Sequence, residues 1–215
     1  QALTPELPAR IAIVGAGGKT TAMVQLASQL PGKVWTTTTT HLGVDQLDHA
    51  DQHYIISGVE EIDLPRLTAK RSTLITGLLT KGDRVRGPEP VVLQALLRCA
   101  DEQDISFIVE ADGSRLHPLK APAEHEPVIP AWVKMVVVVV GMSVLEKPLS
   151  PDWVHRPDRF EALTGLHQGE PITMDSICKM LFHPQGGLKG IPSGSRRVVL
   201  FNQVGDELTR DQVTD

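Results

Sequence analysis

The most constraining feature of the sequence is an uninterrupted apolar run at residues 135–140, which contains five consecutive valines. Valine is stiff at χ1 and favours extended backbone, and a strand needs so many apolar residues in succession only when both of its faces are covered. The run is far shorter than the ~20 residues of a membrane span. It therefore predicts the central strand of a sheet that is covered on both sides.

Similar short runs alternate with segments of helical periodicity along the chain. Apolar residues recur at helical spacing over residues 20–30 and 91–101. Further strands are predicted at residues 11–14, 34–38, 54–56, 73–79, 105–109 and 197–201. This alternation predicts an α/β fold, a three-layer sandwich built on a mainly parallel sheet.

The predicted elements are spread over the whole length of the chain. A chain of 215 residues can bury one core of ordinary size, so residues 1–215 are predicted to form a single domain. Residues 143–194 interrupt the alternation with loops and short helices, and we expect them to form a small cap or insertion within that domain.

The composition limits the kind of partner. The chain has 21 Lys and Arg against 26 Asp and Glu, and only 4% of its residues are aromatic. It therefore lacks both the basic excess that neutralises a nucleic-acid backbone and the aromatic surface that stacks on bases. Residues 1–10 show no signal-peptide pattern, and Cys99 and Cys178 have no metal-ligand spacing. We expect a cytoplasmic protein with a small polar ligand, no nucleic acid and no membrane segment.

A glycine-rich segment at residues 15–21 lies between a predicted strand and a predicted helix. In a phosphate loop, backbone N–H groups hold phosphate oxygens, a lysine contacts the β- and γ-phosphates, and the next hydroxyl binds Mg²⁺. The loop is a short form, because Ile13 stands where the common pattern has its first glycine. Thr20 at the third glycine position excludes a dinucleotide fingerprint. A glycine turn with a solvent-facing lysine is the alternative. The predicted nucleotide-binding residues are Gly15, Ala16, Gly17, Gly18, Lys19, Thr20 and Thr21.

Two carboxylates follow the predicted strand at residues 105–109. Glu110 and Asp112 are two residues apart, so they point to one face while the strand persists. We expect them to share an Mg²⁺ site with Thr20 and to act in catalysis with Lys19, one holding the ion and the other orienting a nucleophile. The alternative is that both only cap the strand or the next turn.

Two polar segments are candidates for a second substrate. Thr38, Thr39 and His41 follow a predicted strand at the edge of the sheet where ligands bind, although threonines also suit a strand. Residues 113–130 form a proline-stiffened loop with several charged side chains, which alternatively are only solvated. From this loop we predict substrate contacts at Arg115, Lys120 and His125.

The last predicted strand runs into Asn202 and Gln203, in the place of the guanine-reading segment of GTPases. Gln203 and Gly205 replace the lysine and aspartate of that segment. Asn202 can therefore still bind a base edge, but the carboxylate that selects guanine is missing. The ligand is predicted to be ATP or GTP, with ATP bound at least as well as GTP.

Five motifs together resemble one family, the selenium-dependent hydroxylase accessory proteins of the YqeC type. The motifs are VGAGGKTT, TTTTH, EADGSR, PLKAPAEHEPVIP and HRPDRF, at residues 14–21, 37–41, 110–115, 118–130 and 155–160. The resemblance implies a P-loop nucleotide-binding protein linked to the maturation of selenium-dependent molybdenum hydroxylases, with such an enzyme or its cofactor-maturation proteins as partner. The EADG segment also looks like that of metal-delivery GTPases, and the short phosphate loop looks like that of Mur ligases.

These observations leave two main functions open. The first is a slow Mg²⁺-dependent NTP hydrolase that drives maturation of a partner enzyme. The second is a Mur-ligase-like or kinase-like transferase that acts on a small polar substrate held by residues 116–130. A nucleotide-sensing scaffold without catalysis is a weaker third alternative, since both acidic positions are filled.

Overall fold

A computed structural model of the protein describes residues 4–80 and 82–204. The described residues form twelve strands and five α-helices. The strands are β1 (Arg10–Gly15), β2 (Val34–Thr38), β3 (His41–Gly43), β4 (Gln52–Ile55), β5 (Ser72–Thr76), β6 (Leu79–Thr80), β7 (Arg84–Arg86), β8 (Ser106–Glu110), β9 (Leu119–Lys120), β10 (Met135–Gly141), β11 (Val154–His155) and β12 (Arg196–Asn202). The helices are α1 (Lys19–Gln29), α2 (Leu64–Leu67), α3 (Pro90–Glu102), α4 (Pro157–Thr164) and α5 (Met174–Phe182).

The main sheet has seven strands in the order β12-β10-β1-β8-β2-β5-β4. β8 pairs in parallel with β1 and β2, and β5 pairs in parallel with β2 and β4. The predicted α/β fold with a mainly parallel sheet is thus confirmed. Crossover helices are needed between parallel strands, which explains the alternation seen in the sequence.

The chain divides into two compact units. In the described part, one unit comprises residues 4–13, 20–80, 82–111 and 130–135, and the other comprises residues 14–19, 112–129 and 136–204. The single domain and the cap at residues 143–194 stay predictions. That segment contains α4 and α5, together with β11.

The core of the first unit is built around three aromatic rings. Phe107 of β8 is fully buried and meets Trp35 edge-on, with ring centres 6.0 Å apart. Trp132 stacks on the other side of Phe107 at 5.5 Å. The indole N–H of Trp35 donates to the carbonyl oxygen of Leu67 at 3.1 Å, so its polar atom is satisfied inside the core.

The core of the second unit contains the valine run. Every residue of β10 is buried, as the sequence predicts for a doubly covered strand. Thr173 precedes α5 and caps it, since its hydroxyl accepts from the backbone N–H of Ser176 at 3.2 Å. Near β11, the ammonium of Lys147 lies 5.3 Å from the ring centre of Trp153.

A small antiparallel sheet differs from the prediction. The strand expected at residues 73–79 ends at Thr76, and β6 pairs instead with β7 in a three-stranded sheet ordered β3-β7-β6. Gly77 lies between β5 and β6, and an added Cβ there would lie 2.6 Å from the carbonyl oxygen of Gly87. Within residues 4–80 and 82–204, no helix has the length and apolar character to cross a bilayer.

Candidate functional site

The glycine segment forms a tight loop between β1 and α1. Gly15, Gly17 and Gly18 have φ values of 96°, 83° and 112°, which side-chain-bearing residues rarely adopt. A Cβ on Gly15 would lie 2.2 Å from the carbonyl oxygen of Val139, and one on Gly17 would lie 2.4 Å from the Cα of Gly141. The close backbone approach therefore requires glycine at both positions.

Three backbone N–H groups of the loop already donate hydrogen bonds to other groups of the protein. Gly15 donates to both carboxylate oxygens of Asp112 at 3.0 and 3.1 Å, and Ala16 donates to the carbonyl oxygen of Val139 at 2.9 Å. Gly17 donates to the carbonyl oxygen of His117 at 3.2 Å. The first N–H groups of a helix have no acceptor within the helix. The N–H group of Gly18 is therefore the candidate phosphate donor of this loop.

Lys19 lies inside the protein and contacts the same loop. Its side chain is 4% exposed, and its Nζ donates to the carbonyl oxygen of Gly15 at 3.1 Å and lies 3.5 Å from Asp112 Oδ1. The other carboxylate oxygen of Asp112 accepts from Lys120 Nζ at 2.8 Å, and Lys120 also donates to the carbonyl oxygen of Gly113. The Asp112 carboxylate therefore contacts two lysine side chains and also accepts from a backbone N–H of the loop.

The ion pairs continue from Lys120 into the proline-rich segment. Lys120 Nζ lies 3.0 Å from Glu126 Oε2, and the guanidinium of Arg156 binds both oxygens of Glu126 at 2.9 and 3.1 Å. Burial alone raises the pKa of Glu126, but the hydrogen bonds from Arg156 and the charge of Lys120 outweigh it and lower the pKa to about 2. Glu126 is therefore ionised at neutral pH.

This buried network carries excess positive charge. It contains three cationic side chains and two carboxylates, namely Lys19, Lys120 and Arg156 with Asp112 and Glu126. A cavity beside Asp112 and Lys120 is lined by apolar side chains that include Leu119, Val138 and Met180. Charges interact more strongly when apolar groups surround them. The excess positive charge of this network therefore favours the binding of an anion near the glycine loop.

Asn202 contacts the glycine loop through its side chain. Its Nδ2 donates to the carbonyl oxygen of Gly17 at 2.8 Å, while the neighbouring Gln203 accepts from the Ser143 hydroxyl at 2.8 Å. Asn202 thus holds the loop backbone, and its contact with a base stays a prediction. Gly205, on which the guanine argument partly depends, lies outside the described residues.

The first unit brings Thr20 and Glu110 together. The Thr20 hydroxyl donates to Glu110 Oε2 at 3.4 Å and accepts from Gln46 Nε2 at 3.1 Å. Thr38 at the end of β2 and Thr39 after it lie beside Glu110 at the end of β8. The Thr38 hydroxyl and the Thr39 N–H both donate to the carbonyl oxygen of Glu110, at 3.0 and 2.9 Å. These threonines therefore fix the backbone at Glu110 in this structure, and their contact with a substrate stays a prediction.

Gln46 is a contact that the sequence pattern did not indicate. It lies on a short 3₁₀ helix, Val44–His49, and its Oε1 also accepts from the Gly43 N–H at 3.2 Å. A glutamine in a short irregular segment gives no periodic or motif signal.

The remaining predicted residues lie at the surface. Thr21, His41, Arg115 and His125 are exposed. His41 begins β3 and pairs with Arg86 of β7. Among the described residues, no group of three or more His, Cys, Asp or Glu side chains is arranged to hold a metal ion. A transition-metal centre built from such side chains is therefore not seen in this part of the chain.

A family model and a curated relative both relate this chain to the same protein family. The family model described as "YqeC protein" matches residues 11–158. The chain is 35% identical over 202 residues to a protein of Escherichia coli (strain K12) that is described as "Uncharacterized protein YqeC", and the match covers 91% of this chain and 76% of that relative. No solved structure matches the chain.

Proposed function

Since the chain belongs to the YqeC protein family, we propose for it the function that its own site supports best, which is the binding of ATP or GTP at the glycine loop with Mg²⁺. The observation that carries the proposal is the left-handed loop of Gly15, Gly17 and Gly18, followed at once by the buried Lys19 at the start of α1. A phosphate-binding loop of this kind combines backbone N–H donors, a helix N-terminus and an ammonium group.

Lys19 and Lys120 have different parts in this proposal. When phosphate binds, the Lys19 ammonium exchanges Asp112 for phosphate oxygens, whereas Lys120 keeps its contacts with Asp112 and Glu126. Asp112 therefore never becomes an unpaired buried charge, which would be costly. Since its oxygens already accept from Gly15 and Lys120 and form an ion pair with Lys19, we assign Asp112 to anchoring the loop.

The oxygen atoms of Thr20 and Glu110 fit a magnesium ion. They are a hydroxyl and a carboxylate, the hard ligands that Mg²⁺ prefers, and they already lie 3.4 Å apart. When bound, the ion neutralises charge on the nucleotide phosphates. Gln46 positions the Thr20 hydroxyl by donating to it, so that the oxygen keeps a fixed orientation.

For the cellular role, we propose a slow NTP hydrolase that serves another protein in the cytoplasm. The family resemblance supports a client among the molybdenum hydroxylases or their cofactor-maturation proteins. The net charge of −5 and the low aromatic content support a protein rather than a nucleic acid as that client. Intrinsic turnover is then low and rises when the client is added.

A small-substrate transferase of the Mur-ligase or kinase type is the second candidate. It is favoured by the position of Lys120, which residues 116–130 bring into contact with the Asp112 carboxylate beside the glycine loop. Fast turnover of a small acceptor without any client would support this candidate over the first.

The test compares Lys19→Ala with Lys70→Ala, in which an exposed lysine distant in sequence is removed. Calorimetry with Mg-ATP and Mg-GTP should show a loss of affinity of about tenfold or more in Lys19→Ala, since a charged hydrogen bond contributes roughly 1.5–3 kcal/mol. Lys70→Ala should bind as the parent does, and ATP should bind at least as well as GTP. Unchanged affinity in Lys19→Ala would refute the proposal, and strong preference for GTP would refute the argument about the base.

A further inference from the structure

Two stacked histidines lie next to the segment that supports the glycine loop. The rings of His117 and His155 are nearly parallel, with centres 5.6 Å apart and planes inclined by 25°. The backbone carbonyl of His117 accepts from Gly17, so one member of the pair is directly connected to the loop. Neither imidazole makes a hydrogen bond to a residue of the nucleotide site described above.

The two imidazoles have different surroundings. His117 lies between two carbonyl oxygens, with Nδ1 3.1 Å from that of Ser114 and Nε2 2.8 Å from that of Pro151. His155 has no hydrogen-bond partner for either ring nitrogen within the described residues. Because no fully buried side-chain nitrogen or oxygen of the described residues lacks a partner, the ring nitrogens of His155 reach solvent, where a ligand atom can approach them.

Positive charge surrounds His155. Burial lowers the pKa of this imidazole, and the nearby charges of Arg156 and Lys120, followed by Arg115 and His117, lower it further, to about 4. β11 and β9 bring His155 into register with Lys120. Arg156 and Lys120 are already paired with Glu126. Arg115, by contrast, is exposed and has no ion pair with any residue that the structure describes.

The backbone is strained at the same place. Arg115, Leu116 and Arg156 have φ values of 51°, 65° and 68°, in the left-handed region that non-glycine residues seldom occupy. Such conformations persist where the surrounding structure enforces them, and they concentrate at ligand-binding positions. Leu116 is 92% exposed, so packing of its side chain does not explain the strain.

We propose that His155, His117 and Arg115 form a second binding site, separate from the glycine loop, for the oxyanion group of a small molecule, a carboxylate or a phosphate. Arg115 supplies a guanidinium that no residue of the described chain neutralises, and His155 supplies a ring nitrogen that no residue of the described chain satisfies. The second site extends the proposed function by a further ligand, and it does not require that nucleotide binds.

Anion binding at this site changes the protonation of His155. The surrounding groups Arg156, Lys120, Arg115 and His117 disfavour a proton on this ring, and an oxyanion beside the ring reverses that effect. By linkage, the ligand then binds more tightly to the protein with protonated His155, so its affinity increases as the pH falls through the pKa of the complex to the lower pKa of the free protein.

The experiment follows the pKa of His155 by NMR of the imidazole nitrogens, with the signal assigned from His155→Gln. Inorganic phosphate and malonate are the two probes, and they distinguish a phosphate from a carboxylate preference. We expect at least one probe to raise the pKa of His155 by a unit or more, which corresponds to about tenfold tighter binding to the protonated form. Arg115→Gln should reduce probe affinity about tenfold, and Arg98→Gln, an exposed arginine on α3, should not.

The same titration in Lys19→Ala separates the two sites. If the probes still raise the pKa of His155 in Lys19→Ala, the anion is bound away from the glycine loop. That conclusion stands even if calorimetry shows that the protein does not bind nucleotide. If neither probe shifts the pKa of His155 in the parent protein, the second site is refuted. Loss of the response in Lys19→Ala, with an unchanged response in Arg115→Gln, would place the anion on the glycine loop and would equally refute it.

Discussion

Replacing Glu126 by glutamine should remove the acid sensitivity that the ionised Glu126 carboxylate confers on the fold. Glu126 is 12% exposed and joins Lys120 to Arg156. Its pKa falls from 4.5 to about 2 on folding. Each unit of such a difference corresponds to ~1.4 kcal/mol, so the ionised carboxylate stabilises the native state by about 3 kcal/mol at neutral pH.

The direction of the pH dependence follows from the lowered pKa. A carboxyl group whose pKa is lower in the folded state stabilises the protein above the pKa of the unfolded chain, and that stabilisation disappears as the pH falls through the folded value. For Glu126 the loss begins near pH 4.5 and continues to about pH 2. By pH 3, about 2 kcal/mol of the stabilisation is gone.

Urea unfolding at pH 7 and pH 3 measures this difference. Glu126→Gln should be about 3 kcal/mol less stable than the parent at pH 7, and the gap should narrow by about 2 kcal/mol at pH 3. Glu102→Gln, which alters an exposed residue of α3, should stay close to the parent at both values. A gap of the same size at both pH values would show that Glu126 does not change its pKa on folding, and the reasoning would fail.

Two further variants test the loop and the contact at Thr20. Gly17→Ala should lower the free energy of unfolding by several kcal/mol, measured by thermal unfolding, because the added Cβ would lie 2.4 Å from backbone atoms. Gly165→Ala is the control, and it should lose only about 1 kcal/mol, since Gly165 has a φ of 76° but open space around it. Equal losses in the two variants would contradict the steric argument. Gln46→Ala should raise the Mg²⁺ concentration that half-saturates nucleotide binding by roughly fivefold, since one hydrogen bond to the Thr20 hydroxyl is lost. An unchanged Mg²⁺ titration would show that Gln46 does not position this hydroxyl.

The strands and helices with strong local patterns could be predicted from the sequence. The valine run of β10 and the periodic apolar positions of α3 are determined by neighbouring residues, and both appear within one residue of the expected bounds. β3, β6 and β7 have three residues or fewer, which is too short for an alternating pattern to identify them. They form because the chain turns at Gly82 and Asp83 and pairs back on itself.

In the candidate site, too, the features formed by neighbouring residues could be predicted, whereas the contacts between distant residues could not. The glycine loop could be predicted because its residues are contiguous in the sequence. The partners of Asp112 could not, because Lys120 contacts it from eight positions further along the chain, and Glu126 and Arg156 extend the network from two different segments. Such pairings depend on the tertiary fold, and the charges of a loop sequence do not reveal which of them become buried.

The three tryptophans of the chain make intrinsic fluorescence a separate reporter for each unit. Trp35 and Trp132 flank Phe107 in the first unit, and Trp153 lies in the second unit beside Lys147. An indole buried among apolar groups emits at shorter wavelength than one in water. A Trp153→Phe protein therefore reports only on the first unit, and its denaturation curve, set against that of the parent, shows whether both units lose their structure at the same denaturant concentration.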